Sequence, residues 1–291
     1  LIMTGKDYKA TSIQVLKGLK SVRENYDLNI LANSINKTGD LTKLSQLLKV
    51  DYFSLTRAIE ESRILSIFPN ISKSKALPLS RLKTKKELII FSQKYDIYKL
   101  EVRELYRLVK QFRADLEKNP KELLTDLQHD LMVGSLIGDA SVRQRDKNCS
   151  FRVSHSIKQR KYLDWKYNIL KDFIPSEARL YQKILNGRLL NTFERSTFTL
   201  SAFNYYRKLF YKNGRKTITK DILDLLNPRS LAIWICDDGS YARRQGYIVL
   251  CTNSFRLEEH EIMKKYFGDA WDISPTIGFR DKKYYYLRFK Q

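Results

Sequence analysis

Leu131-Met-Val-Gly-Ser-Leu-Ile-Gly-Asp-Ala-Ser141 is an apolar stretch that stops abruptly at Asp139, and Leu231-Ala-Ile-Trp-Ile-Cys-Asp-Asp-Gly-Ser240 is another that stops at Asp238. Both read as helices that end in an acid followed by small residues. The C-terminal end of a helix is the negative end of its dipole, so a carboxylate there is disfavoured unless a cation compensates it. A divalent ion is one such cation, and hard oxygen ligands suit Mg²⁺. Gly134 and Gly138 lie four apart on one face of the first helix, which lets another backbone come close.

The same pattern continues on both sides of each motif. The spacing predicts a helix from Leu123 to about Asp139, strand-like segments over 141–156, and a helix over 158–173. Strands follow near 178–185 and 190–201, then a helix over 203–211. The cycle restarts with a helix over 228–238, strands near 241–253, a helix over 257–267, and strands near 273–279 and 283–290. A helix–strand–strand–helix–strand–strand unit that occurs twice is an α+β signature.

Residues 11–66 carry apolar side chains at three- and four-residue spacing and read as helical. Within them, 41–62 resembles a helix-turn-helix. Leu44, Leu47 and Leu48 would pack its first helix, Val50 would take the turn, and Leu55, Ala58 and Ile59 would anchor its second. Tyr52, Ser54, Thr56 and Arg57 would then face a DNA major groove; an ordinary helical hairpin is the other reading. Two prolines (Pro69, Pro78) among polar and basic residues make 68–84 a linker. Helical periodicity returns over 85–118 and stops at Asn119-Pro120. The domains expected are thus a helical region over 1–120, a first repeat over 121–227 and a second over 228–291.

Composition restricts the function classes. The 291 residues carry 54 Lys plus Arg against 32 acids, a net +22. The excess is spread along the chain, with 24 basic and 16 acidic residues before position 131 and 30 against 16 after it. A folded, basic, tyrosine-rich chain points to nucleic acid. Cys149, Cys236 and Cys251 lack CxxC spacing, which argues against a disulfide framework or a structural zinc site and fits a reducing compartment. A prokaryotic or phage cytoplasm or an organelle would each satisfy that. No apolar run is long enough for a membrane span, and no secretion signal is seen. His129, His155 and His260 are too scattered for a histidine-rich metal cluster.

The two motifs resemble those of the LAGLIDADG homing endonucleases, more narrowly the intron-encoded branch whose second motif reads like LAxWxxDDGS. The resemblance covers about residues 125–291 and includes Phe210-Tyr-Lys-Asn-Gly-Arg-Lys216, which leads into the second motif. It implies two pseudo-symmetric halves whose motif helices pack centrally, each half adding a curved antiparallel sheet to a saddle over duplex DNA. It implies that Asp139 and Asp238 are metal-binding carboxylates for Mg²⁺ (with Mn²⁺ or Ca²⁺ able to occupy the same sites), one per strand of a staggered break. Asp237 competes with Asp238 for that role, and alignment to Gly239 favours Asp238. His155 and Asn253 fall where the family carries a polar side chain that orients solvent, and Lys216, with Arg215 as its rival, falls where it carries a basic residue near the scissile phosphate.

Base readout is expected from alternating strand residues and their turns. Arg143, Arg145, Arg152, Gln182, Lys183 and Arg188 are candidates in the first half, and Arg243, Arg244, Gln245, Arg280, Lys282 and Lys283 in the second. Ala140 stands where the family usually has Gly. Ile233 stands where it has a helix-packing Gly, which predicts a wider or offset contact between the motif helices. The closing helix of the second half is not found before Gln291. The leading expectation is a monomeric, site-specific double-strand DNA endonuclease for an asymmetric site. The alternatives are an RNA-binding intron maturase and a DNA-binding regulator with a degenerate nuclease body.

Overall fold

The computed structural model describes residues 41–47, 50–175, 179–185, 188–281 and 283–290. The chain divides into two compact units, Leu1–Phe112 and Arg113–Gln291. The helices expected over 11–40 lie outside the described residues, as does Leu48.

The first unit is helical throughout its described part. Helix α1 (Leu41–Leu47) is followed by α2 (Tyr52–Ile67), whose N-cap Asp51 accepts from the Ser54 amide. Leu55 and Ala58 are fully buried, as a helical hairpin requires. Ser54 is also fully buried and its hydroxyl donates to Asp51 Oδ2 at 3.0 Å, so it does not face a groove. Thr56 turns its hydroxyl onto the Tyr52 carbonyl at 2.8 Å. Tyr52 and Arg57 are exposed, and Phe53, not among the expected groove residues, is exposed beside them. Residues 68–84 are not a linker. They contain α3 (Lys73–Leu79), which buries Ala76, Pro78 and Leu79, while Ile71 and Leu82 join the same core. Arg63 fastens this stretch by donating to the Leu82 carbonyl at 2.7 Å.

The region 85–118 is helical, as two helices. Helix α4 (Lys85–Lys94) starts at a capping box between Thr84 and Glu87, and α5 (Val102–Lys118) follows. The break is a turn in which Asp96 Oδ1 accepts from the Tyr98 amide at 3.2 Å, the local side-chain bond that competes with helix.

The second unit holds the repeat. Helix α6 (Asp126–Ile137) starts at a Thr125–Gln128 capping box and leads into β1 (Ser141–Arg145) and β2 (Asn148–Ser156). Helix α7 (Arg160–Ile169), β3 (Arg179–Leu185), β4 (Arg188–Ser196) and α8 (Ala202–Phe210) complete the first half. A short hairpin of β5 (Tyr211–Lys212) and β6 (Arg215–Lys216) and a turn of helix α9 (Lys220–Leu223) lead to α10 (Pro228–Asp238). The second half continues with β7 (Gly239–Ala242), β8 (Tyr247–Leu250), α11 (Leu257–Trp271), β9 (Thr276–Arg280) and β10 (Tyr284–Lys290). Each half has an antiparallel sheet of the same topology, β1-β2-β4-β3 and β7-β8-β10-β9. Helices cover one face of each sheet: Tyr167 of α7 donates to the Val153 and Arg195 carbonyls, and Phe267 of α11 stacks edge-on against Phe289.

The motif helices α6 and α10 pack directly together. A Cβ added at Gly134 would lie 2.3 Å from the Ser230 carbonyl oxygen and 3.0 Å from Ile233 Cβ. Of the wider or offset contact expected from Ile233, the widening does not occur: the backbones stay close, because Gly134 on the facing helix makes the room. At the other end Asp130 of α6 is buried and accepts from Asn227 Nδ2 at 2.7 Å and Arg229 Nη1 at 2.8 Å. Gly134→Val is expected to destabilise the second unit by about 1–3 kcal/mol, the usual cost of overpacking. A denaturant midpoint unchanged from wild type would show that the helices are not held at this distance.

Candidate active site

The site forms where the two motif helices end. Asp139 follows the Gly138 C-cap of α6, and Asp238 is the last residue of α10. A Cβ at Gly138 would sit 2.7 Å from Asp237 Cβ, so the two helix ends touch. Asp238 Oδ2 accepts from the buried Trp234 indole at 3.2 Å, which fixes its orientation. Asp139 keeps 41 % of its side-chain surface exposed, so it is the open edge of the cluster.

Two lysines supply the compensating charge that helix ends require. Lys216 Nζ donates to the Gly138 and Ala140 carbonyls, both at 2.8 Å, and neutralises the end of α6. Burial lowers its pKa to about 8 even though Asp238 and Asp139 pull it upward. Arg215 is turned away into a bidentate pair with Glu259 at 2.8 and 3.0 Å, so of the two only Lys216 serves the centre. Lys166 of α7 donates to Asp237 Oδ1 at 2.5 Å, and Tyr162 donates to the same oxygen at 2.8 Å. Both Lys166 and Asp237 have fully buried side chains.

His155 ends β2 with a fully buried side chain, its Nδ1 3.5 Å from Asp139 Oδ2 and its Nε2 4.0 Å from Asp237 Oδ1. Burial, reinforced by Lys166, lowers its pKa to about 4, so the imidazole is neutral near pH 7 and these are not charge pairs. Burial raises Asp139 to about 6, with the Asp237 charge adding to it. Burial and then the Asp139 charge raise Asp238 to about 7. Asn253 is half-buried in the turn after β8.

The fold thus gathers Asp139, Asp238, Lys216 and His155 into one centre. It adds Asp237 as a buried, lysine-paired member, together with Tyr162 and Lys166, which the sequence analysis did not single out. The centre suits a hard divalent cation. Carboxylates pushed toward protonation by burial and mutual repulsion are an uncompensated anionic pair, and Asp237 Oδ2 is buried with no hydrogen-bond partner.

The expected base-reading residues are distributed unevenly. Arg143 and Arg145 are exposed on β1. Arg152 is paired with Glu194 and is therefore less free than expected. Gln182 lies in register with Asn191 and donates to its side chain at 3.0 Å, on the face that carries His155 and Phe193. Lys183 and Arg188 belong to β3 and β4. Arg243, Arg244 and Gln245 are exposed in the β7–β8 turn. Arg280, which contacts Asp281 at 3.5 Å, and Lys283, over the Tyr284 ring, flank the β9–β10 turn. Lys282 lies outside the described residues.

The register shows what the sequence analysis missed. Tyr247, Arg288, Tyr286 and Tyr284 share one face with Arg280, away from the Phe267–Phe289 contact. Arg288 lies over the Tyr247 ring and donates to Thr276 Oγ1 at 3.0 Å, while the Tyr286 ring covers Gly278. Alternation along β10 was the available signal, but it is hidden in a run of three tyrosines.

The family model described as the LAGLIDADG DNA endonuclease family matches residues 129–291, both motifs and both sheets. The chain belongs to that family. It is 26% identical over 167 residues to a probable intron-encoded endonuclease 1 of Wickerhamomyces canadensis, a match covering 55% of this chain and 72% of the relative. It is 31% identical over 161 residues to the cytochrome b mRNA maturase bI2 of Debaryomyces hansenii, covering 51% and 58%. Its fold is similar to that of the homing endonuclease I-WcaI, solved bound to its DNA recognition sequence, with a TM-score of 0.53 and 23% identity over 62% of this chain and 81% of that one. No described helix of this LAGLIDADG protein is long and apolar enough to cross a membrane.

The raised carboxyl pKa values set a pH dependence. Unfolded, Asp139 and Asp238 titrate near 3.8; folded, they hold protons to about 6 and about 7. The folded state then binds more protons between those limits, so these groups make the metal-free protein less stable as pH rises through that window. A cation must displace the same protons and binds more tightly as pH rises. The gain in thermal midpoint on adding Mg²⁺ is therefore expected to be larger at about pH 8 than at about pH 5.5; equal gains would mean that these acids do not hold the ion.

Proposed function

We propose that this protein is a site-specific endonuclease that makes a staggered double-strand break in DNA, with Asp139 and Asp238 holding divalent ions, Mg²⁺ foremost. The observation that carries this reading is the meeting of the two motif carboxylates, 99 positions apart in sequence, at the touching ends of α6 and α10. When bound, the ions supply Lewis-acid activation of water and stabilisation of the leaving oxygen. Asp139 and Asp238 fix the ions, the Trp234 indole orients Asp238, and the Lys216 ammonium is placed to meet a phosphate beside the end of α6. Neutral His155 and Asn253 orient solvent at the strand ends.

Both motifs lie in one chain, so the protein acts as a monomer on an asymmetric site. The outer sheet faces read the DNA: Arg143 and Arg145 on the first half, Arg280 and Arg288 on the second. The helical region before position 113 adds contacts through exposed Tyr52 and Arg57. The net +22 supplies the sequence-independent part of binding.

The first test is cleavage of the cognate site by D139N and D238N. Each is expected to lose double-strand cleavage by at least about a hundredfold while still binding DNA. Full cleavage by either variant would remove the reading. R288A is expected to weaken binding of the cognate duplex by about 1–3 kcal/mol and relax sequence preference; unchanged affinity and preference would take β10 out of the interface.

A second reading, intron-RNA binding in splicing, is favoured by the resemblance to the mRNA maturase of Debaryomyces hansenii. Competition between host-intron RNA and the duplex target for the same protein separates the two. RNA winning at equal concentration, with no cleavage of the duplex, would favour the maturase.

A further inference from the structure

We propose that Asp139, His155 and Asp237 form a cation site of their own, which takes a borderline transition ion of the Mn²⁺, Co²⁺ or Zn²⁺ class through a histidine nitrogen in preference to Mg²⁺. Each of the three residues can offer one ligand atom, and those atoms lie within 4.8 Å of one another. Donors about 2.0–2.2 Å from a shared ion lie at most about 4.4 Å apart, so only a slight contraction would close the site.

Two further features point to a ligand. Neither ring nitrogen of His155 has a hydrogen-bond partner, although the residue is 98 % buried; Gln159 is near enough to influence the ring without making a well-formed bond. Asp237 Oδ2 is likewise buried without a partner, because Lys166 and Tyr162 both bind Oδ1. Leaving buried polar atoms unmet costs about 1–3 kcal/mol each, and one ion would engage one ring nitrogen of His155 and one oxygen of Asp237. The charges allow it: once Asp139 and Asp238 are deprotonated, they and Asp237 bring three negative charges against the two ammonium groups of Lys166 and Lys216, leaving an anionic centre.

The nitrogen donor sets the selectivity. Imidazole suits Zn²⁺, Co²⁺ and related ions, whereas Mg²⁺ prefers oxygen and keeps its waters. The corresponding position of the second half carries Asn253, an oxygen donor, so the nitrogen ligand comes from the first half alone, while Asp237 is supplied by α10 of the second. It shares Asp139 with the nuclease reading but does not need Asp238, and it forms without DNA.

The test is titration of the full, DNA-free chain with Co²⁺, followed by visible absorption, with Mg²⁺ as competitor. One Co²⁺ per chain is expected, with d–d bands that shift on loss of nitrogen ligation and displacement only at much higher Mg²⁺. H155N should weaken Co²⁺ binding by about tenfold or more, whereas D238N should leave it within about twofold. H155Q serves if H155N does not fold, as judged by circular dichroism. Absence of Co²⁺ binding, equal competition by Mg²⁺, unchanged binding in folded H155N or H155Q, or loss of binding in D238N would each overturn the proposal. DNA cleavage by D238N tests the nuclease reading separately.

Discussion

The contact between the ends of α6 and α10 is the constraint from which the rest of the second unit follows. Helices approach this closely only where a side chain is missing, and Gly134 against the Ser230 carbonyl and Gly138 against Asp237 provide those gaps. Bringing two helix C-termini together concentrates negative dipole ends and three carboxylates in a small volume. Water cannot screen most of it, since His155, Lys166 and Asp237 have no exposed side-chain surface. The fold therefore carries its own counter-charges. Lys216 arrives on the β5–β6 hairpin to cap α6, and Lys166 arrives on α7 to meet Asp237. What those two leave uncompensated is the negative potential that makes a cation centre.

The two halves are related but not equivalent, and the difference lies at the axis. Gly138 and Asp237 occupy matching positions, 99 residues apart, and they face each other. Two glycines would leave a void there, and two aspartates would collide and repel. A single chain can place one of each, which a symmetric dimer of identical halves cannot. The same divergence puts neutral His155 beside one carboxylate and the Trp234 indole on the other, giving two acids with different surroundings.

How much of this was legible in the sequence depended on whether the signal was local. The span 228–238 is read correctly because Asn227 and Pro228 mark its start and Gly239 its end, while the apolar residues between them tolerate no other element. Asp139 and Asp238 announce themselves as acids where a helix end should repel them. Asp237 does not, since its meaning comes from Lys166, 71 residues away, with nothing local to mark the pair. Residues 68–84 mislead because prolines and serines suggest a linker, whereas Ile71, Ala76, Leu79 and Leu82 are buried. Ser54 misleads in the opposite sense: a polar residue early in a helix looks like a surface contact, and here it is sealed inside by its bond to Asp51.

The electrostatic asymmetry of the second unit bears on how a nuclease of this design would separate recognition from chemistry. Three of its acids, Asp139, Asp237 and Asp238, meet at the motif ends and are partly shielded by lysines, while Arg143, Arg145, Arg280 and Arg288 stand on the sheets. Backbone phosphates are attracted to any basic surface, so affinity from the net charge carries no sequence information. Discrimination then depends on side chains held in fixed positions on the strands, and Arg288 is held by an aromatic partner. Arg288 lies over Tyr247, and the ring of Tyr286 fills the place that Gly278 leaves open. A guanidinium stacked in this way loses less freedom when it meets a base edge than one that swings freely. Tyr286 of β10 thus stiffens a sheet that contains a glycine, while Tyr247 of β8 presets the arginine that would read the DNA.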